Sequence, residues 1–90
     1  MKASIEQYLD ASVAARRTER QINQQEAAWD RWVARARLAR QLGDERIATA
    51  AHRRAFMHGE AAGWLRAVYA EQDALLRQLA GQIRAERRRA

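Results

Sequence analysis

The sequence predicts an all-α fold: two long helices folded back on each other as an antiparallel coiled-coil hairpin. Three observations predict it. Proline is absent, and Val, Ile and Thr together number nine in a chain filled mostly by Ala, Arg, Gln, Glu and Leu, so strand formers are too few and helix formers are everywhere. Apolar residues recur at three- and four-residue steps. A single well-punctuated break, Leu42-Gly43-Asp44-Glu45, divides the 90 residues near their middle.

The first helix is expected over residues 3–42. Its apolar series runs Ile5, Tyr8, Ser12, Ala15, Ile22, Trp29, Trp32 with Val33, Ala36 and Ala39. A turn follows at 43–44, because Gly43 accepts the left-handed conformation that ends a helix and Asp44 can cap the next one. The second helix is expected over 45–88, with Ile47, Ala51, Arg54, His58, Ala61, Leu65, Val68, Gln72, Leu75, Leu79 and Ile83 as its series. Gly59, Gly63 and Gly81 interrupt it, each at ~1 kcal/mol relative to Ala, but none carries the Gly-Asp-Glu punctuation of position 43. So short a connection makes the helices antiparallel neighbours, with residue i facing roughly residue 87 − i. One unbroken helix is the alternative architecture.

The composition limits what such a fold can bury. Hydrophobic residues make up 48% of the chain, yet 21 of them are Ala, which leaves 22 larger apolar side chains. A chain of this length buries only about 60–65% of its unfolded surface, so an elongated or self-associating architecture is favoured. No cysteine is present to add a disulfide. The apolar stretches are short and broken by Arg, which excludes a membrane span. Met1–Glu6 lacks the apolar core of a signal peptide, so a cytoplasmic location is expected.

Residues 22–51 read I-x6-W-x2-W-x3-A-x-L-A-x3-G-D-E-x-I-A-x-A-A, with Trp32, Ala36, Leu38, Ala39, Gly43, Glu45, Ile47, Ala48, Ala50 and Ala51 as the marked positions. This pattern resembles the hairpin of the phage-shock protein A family, which includes the vesicle-inducing protein of plastids and cyanobacteria. The resemblance implies a coiled-coil hairpin that homo-oligomerises at the inner face of the membrane. The family's N-terminal amphipathic helix has no counterpart in Met1–Asp10, where only Ile5, Tyr8 and Leu9 are large and apolar. A hairpin-only relative, peripheral to the membrane, is what the resemblance suggests.

Candidate functional residues fall into three groups. Trp29, Trp32, Ala36, Ala39, Gly43, Ile47 and Ala51 are expected to pack the hairpin tip, with Arg54 stacked on an indole face. Phe56, Trp64 and Tyr69 are expected to point off the seam, and exposed aromatic residues on a helix mark a partner surface. A second copy of the chain is the favoured partner, and a different protein is the other. The third group is Arg84, Arg87, Arg88 and Arg89, a basic run suited to anionic lipid or phosphate that also complements the helix macrodipole.

The charge balance, 17 Lys+Arg against 11 Asp+Glu, leaves nucleic-acid binding as the alternative function. The carboxylates interspersed through both helices weaken any continuous phosphate-facing stripe. Catalysis is not expected. His52 and His58 do not share a helical face, and no metal-ligand motif, phosphate loop or nucleophile motif is present. No cofactor and no small-molecule substrate are expected either.

Overall fold

A computed structural model of the chain describes residues 2–90, and among these there is no strand. It contains two helices, α1 over Lys2–Gln41 and α2 over Glu45–Arg89. The junction between them is a helix stop followed directly by a helix start. Gly43 adopts φ 81°, its N–H donates to the Arg40 carbonyl at 3.0 Å, and the Asp44 N–H donates to the Ala39 carbonyl at 2.8 Å. This pairing satisfies carbonyls at the end of α1 that have no partner within the helix. Asp44 then accepts the Ile47 N–H on Oδ1 at 3.0 Å, which caps the first turn of α2. Two adjacent residues thus end one helix and begin the next.

The chain divides into two compact units: Gln21–Leu65, which contains the turn, and Met1–Arg20 together with Arg66–Ala90. The helices are antiparallel within each. In the turn unit Gln25 bonds His58, Trp32 lies under Arg54 and Trp29 lies against Gly59. In the other unit Ser4 bonds Glu86 and Tyr69 bonds Glu19. The numbers of these pairs sum to between 83 and 90, close to the expected facing rule.

Shielded positions in the turn unit follow steps of three and four, with one step of seven on α1 where Trp29 is exposed. On α1 they are Ile22, Gln25, Trp32, Ala36 and Ala39, and on α2 they are Ala48, Ala51, Ala55, His58, Ala62 and Leu65. In the second unit α1 contributes Ser4, Tyr8, Ala11, Ala15 and Thr18, and α2 contributes Tyr69, Gln72, Leu76, Leu79, Ile83 and Glu86. A sustained seven-residue repeat is the pattern of a coiled-coil seam.

From Ile47 to Leu75 the seam on α2 differs from the expected series at every second member. Ile47 is 57% exposed, whereas its neighbour Ala48 is wholly buried. Ala55 replaces the expected Arg54 and Ala62 replaces Ala61, and Leu75 is exposed while Leu76 is shielded. Ile47 is therefore not a packing residue of the tip. The physical reason is size: the buried apolar residues of the turn unit are Ile22 and seven alanines, so toward the turn the enclosed positions are filled by methyl groups and the larger Ile47 lies outside. Thr18 and Ala28 are buried as well, although neither belongs to the expected apolar series. The Thr18 hydroxyl donates to the Ala14 carbonyl at 3.1 Å, which satisfies a polar group that would otherwise be costly to bury.

The shifted seam has a direct test. Ala48→Leu overpacks a closed position and is expected to lower stability by ~1–3 kcal/mol. Ile47→Ala removes an exposed side chain and should change it by less than ~0.5 kcal/mol. Urea unfolding of both variants decides the matter, and a larger loss for Ile47→Ala would return the seam to Ile47.

Candidate functional site

The turn unit carries the densest set of unusual side chains, beginning with Trp32. Its indole ring lies beneath two guanidinium groups, Arg35 from the next turn of α1 at 4.5 Å and Arg54 from α2 at 4.9 Å. Attraction of a cation to an aromatic face is worth ~0.5–2 kcal/mol depending on exposure. The Arg54 contact ties α1 to α2 at a place where the seam itself has little apolar bulk, and the Arg35 contact lies within α1.

Trp29 makes the second tie. A Cβ built on Gly59 would lie 2.7 Å and 2.8 Å from Cζ3 and Cε3 of the Trp29 ring, so the indole rests on a stretch of backbone that only glycine leaves bare. One seam position lower, His58 Nδ1 and Gln25 Oε1 are 2.6 Å apart. With the amide oxygen as acceptor, Nδ1 is the nitrogen that carries the proton. A polar pair inside a seam fixes register at some expense of stability.

Trp29 nevertheless remains 41% exposed, and Phe56 at 62% and Met57 at 68% line the same groove; Trp64, seven residues beyond Met57 on the same stripe of α2, is 68% exposed. Trp29, Val33, Ala55, Phe56 and Met57, with Thr49, His52 and Arg53, line an open groove of about 810 Å³. These side chains form a contiguous apolar patch rather than scattered single exposures. Val33 and Met57 join this face although neither was among the expected interface residues. Their signal was present in the sequence, since Val33 follows Trp29 by four and Met57 precedes Trp64 by seven.

Tyr69 does not belong to that face, which corrects its expected place among the outward aromatics. It occupies a half-buried seam position of the other unit, and its hydroxyl donates to Glu19 Oε1 at 2.9 Å. That bond and the adjacent carboxylate charge raise the phenol above its ordinary value of 10.0, because ionisation would break the bond and bring two negative charges together. Near the chain ends the Ser4 hydroxyl donates to Glu86 Oε1 at 2.8 Å and thereby holds that carboxyl below its ordinary 4.5. Arg84, Arg87, Arg88 and Arg89 are all exposed on the last turns of α2.

Among the described residues no group of three or more His, Cys, Asp or Glu side chains is placed to hold a metal, and no helix is long and apolar enough to cross a membrane. The molecule is thus defined by class as an antiparallel helical hairpin with an exposed aromatic face. Compared with known proteins, it matches no family model, no curated protein and no solved structure.

Two predictions follow from this geometry. Gly63 would meet nothing with an added Cβ, so Gly63→Ala is expected to gain up to ~1 kcal/mol in helix stability. Gly59→Ala should forfeit that gain and lose stability, because the Trp29 ring must move. Thermal unfolding of the pair tests this, and equal stabilisation by both would show that the Trp29 contact does not constrain the fold.

Glu86 and Tyr69 make stability depend on pH at opposite ends of the scale. Glu86 has a lowered value in the fold, so its contribution is complete above about 4.5 and is lost as the pH falls through the folded value. Tyr69 has a raised value, so its contribution is complete below about 10 and is lost as the pH rises through the folded value. Ser4→Ala is expected to flatten the acid limb of the urea midpoint against pH, and Tyr69→Phe the alkaline limb. Unchanged limbs would remove these bonds as contributors.

Proposed function

We propose that the chain is a non-enzymatic helical hairpin that self-associates through the face bearing Trp29, Phe56, Met57 and Trp64, and that it serves as a scaffold or adaptor. The observation that carries this reading is the exposure of Trp29, Phe56 and Met57 around one open groove, with Trp64 exposed further along the same stripe of α2 as Met57. Aromatic residues and Met are the side chains enriched where protein surfaces meet. A face of one copy packing against the same face of a second across a twofold axis is the commonest way for such a surface to close.

The likeness of residues 22–51 to the hairpin of the phage-shock protein A family supports the same reading, since self-assembly is what that family implies. Nucleic-acid binding, the alternative, is favoured by net charge alone, and acidic residues lie in both units.

The expected result is a stable oligomer in sedimentation velocity at micromolar concentration. Phe56→Ser with Trp64→Ser should dissociate it without loss of helical circular dichroism, because neither side chain belongs to the seam. A clean monomer of the unaltered chain at tens of micromolar would refute the proposal.

A further inference from the structure

A second exposed face lies on the turn unit, away from the aromatic groove. Arg31, Arg35, Leu38 and Leu42 follow one another at steps of four, three and four and so form one stripe of α1. Ile47 and Arg54, seven apart, form a stripe of α2. The stripes adjoin: Arg35, Leu38, Leu42 and Ile47 line one shallow groove beside the turn, and Arg35 and Arg54 share the ring of Trp32. Its outer end is aliphatic, with Leu42 76% exposed, Ile47 57% and Leu38 55%. Behind the aliphatic end stand Arg31, Arg35 and Arg54.

The charge around this face is one-sided. From Arg31 to Arg54 there are seven arginines and two carboxylates. Asp44 uses Oδ1 to cap α2, and Glu45 pairs with Arg40 at 3.6 Å. Both acids are thus engaged locally, and the remaining guanidinium groups set the field of the tip.

We propose that the hairpin tip docks on an anionic lipid surface, with Leu38, Leu42 and Ile47 entering the headgroup layer and Arg31, Arg35 and Arg54 meeting the phosphates. A second tip is excluded as the occupant by like charge. Three aliphatic side chains also fall well short of the roughly 1,000 Å² that a stable protein interface buries in total. A bilayer needs neither a complementary shape nor a large patch: aliphatic insertion and electrostatic attraction add, and each arginine near an anionic surface strengthens binding about fivefold. This surface is separate from the one proposed for self-association. Sedimentation without lipid reports on that one, and vesicle binding reports on this one.

The test is co-sedimentation of the full chain with vesicles of phosphatidylcholine, alone or with about a third phosphatidylglycerol. The chain contains no cysteine, so Leu42→Cys carries a single environment-sensitive fluorophore. The expected results are binding to anionic vesicles at least ~10-fold tighter than to neutral ones, weakening with salt, and a blue shift of the label on binding. Leu38→Ser with Leu42→Ser, and separately Arg31→Gln with Arg35→Gln, should each lower binding several-fold at unchanged helicity. Arg87→Gln with Arg88→Gln and Arg89→Gln should leave most of it.

Three outcomes overturn the proposal. One is a label whose emission does not change on anionic vesicles, which decides the matter even if a serine variant misfolds. Another is loss of binding in the Arg87, Arg88 and Arg89 variant alone. The third is displacement from vesicles by duplex DNA with no contribution from the leucines, which would make the tip a nucleic-acid contact.

Discussion

The close approach of two backbones along an alanine seam is the constraint on which the rest of this molecule depends. At Ala36, Ala39, Ala48, Ala51, Ala55 and Ala62 the side chain enclosed between the facing helices is a single methyl group. Larger apolar side chains are consequently displaced to the flanks. Among the described residues, only Ile22 and Leu79 of the buried hydrophobic set exceed alanine in size, and no large side chain is fully buried. Exposed aromatic and aliphatic faces are therefore the direct counterpart of how the seam is built.

A seam of methyl groups specifies register poorly, because each apolar contact is small and nearly interchangeable with the next. Directional contacts supply what the methyl groups do not. Trp29 fits only against a bare backbone, which Gly59 alone provides there, while Trp32 is gripped by one arginine from each helix. Gln25 with His58, Glu19 with Tyr69 and Ser4 with Glu86 add hydrogen bonds that a shift of one residue would break. Gln72 carries a buried side-chain oxygen without a hydrogen-bond partner, so the polar members of the seam are not uniformly favourable. Their value lies in selecting one alignment, as polar residues at seam positions of coiled coils do.

This division explains which features were legible in the sequence. The hairpin was legible because Gly43 and Asp44 each have a specific backbone task that few other residues perform. Facing positions followed from the turn within a few residues, and the outward placement of Phe56 and Trp64 from their surplus over what one seam holds. The α2 seam was misread by one residue at Ile47, Arg54, Ala61, Val68 and Leu75, because the largest apolar residue of the first turn, Ile47 rather than Ala48, set the start of the pattern and every second step to Leu75 inherited that offset. Tyr69 was misplaced for a related reason: its ring suggested a partner surface, whereas the hydroxyl reaching Glu19 is a tertiary feature that no local pattern encodes. The aliphatic tip of Leu38, Leu42 and Ile47 went unrecognised because Ile47 had been assigned inward.

The thin seam also links folding to whatever covers the exposed faces. A fold that buries mostly methyl groups gains little from each contact, while the conformational entropy of ordering two long helices is that of any chain of this length. Any partner that binds only the folded hairpin adds RT ln(1 + [L]/Kd) to its stability. For a hairpin with so little buried apolar bulk, that increment is a large fraction of the whole. The displaced side chains lower the stability available to an isolated copy, and under the proposed self-association they are the surface that would restore it. Enlarging the seam alanines would not escape this coupling, because bulk added there separates the helices and breaks the Trp29, Trp32 and His58 contacts that set their alignment.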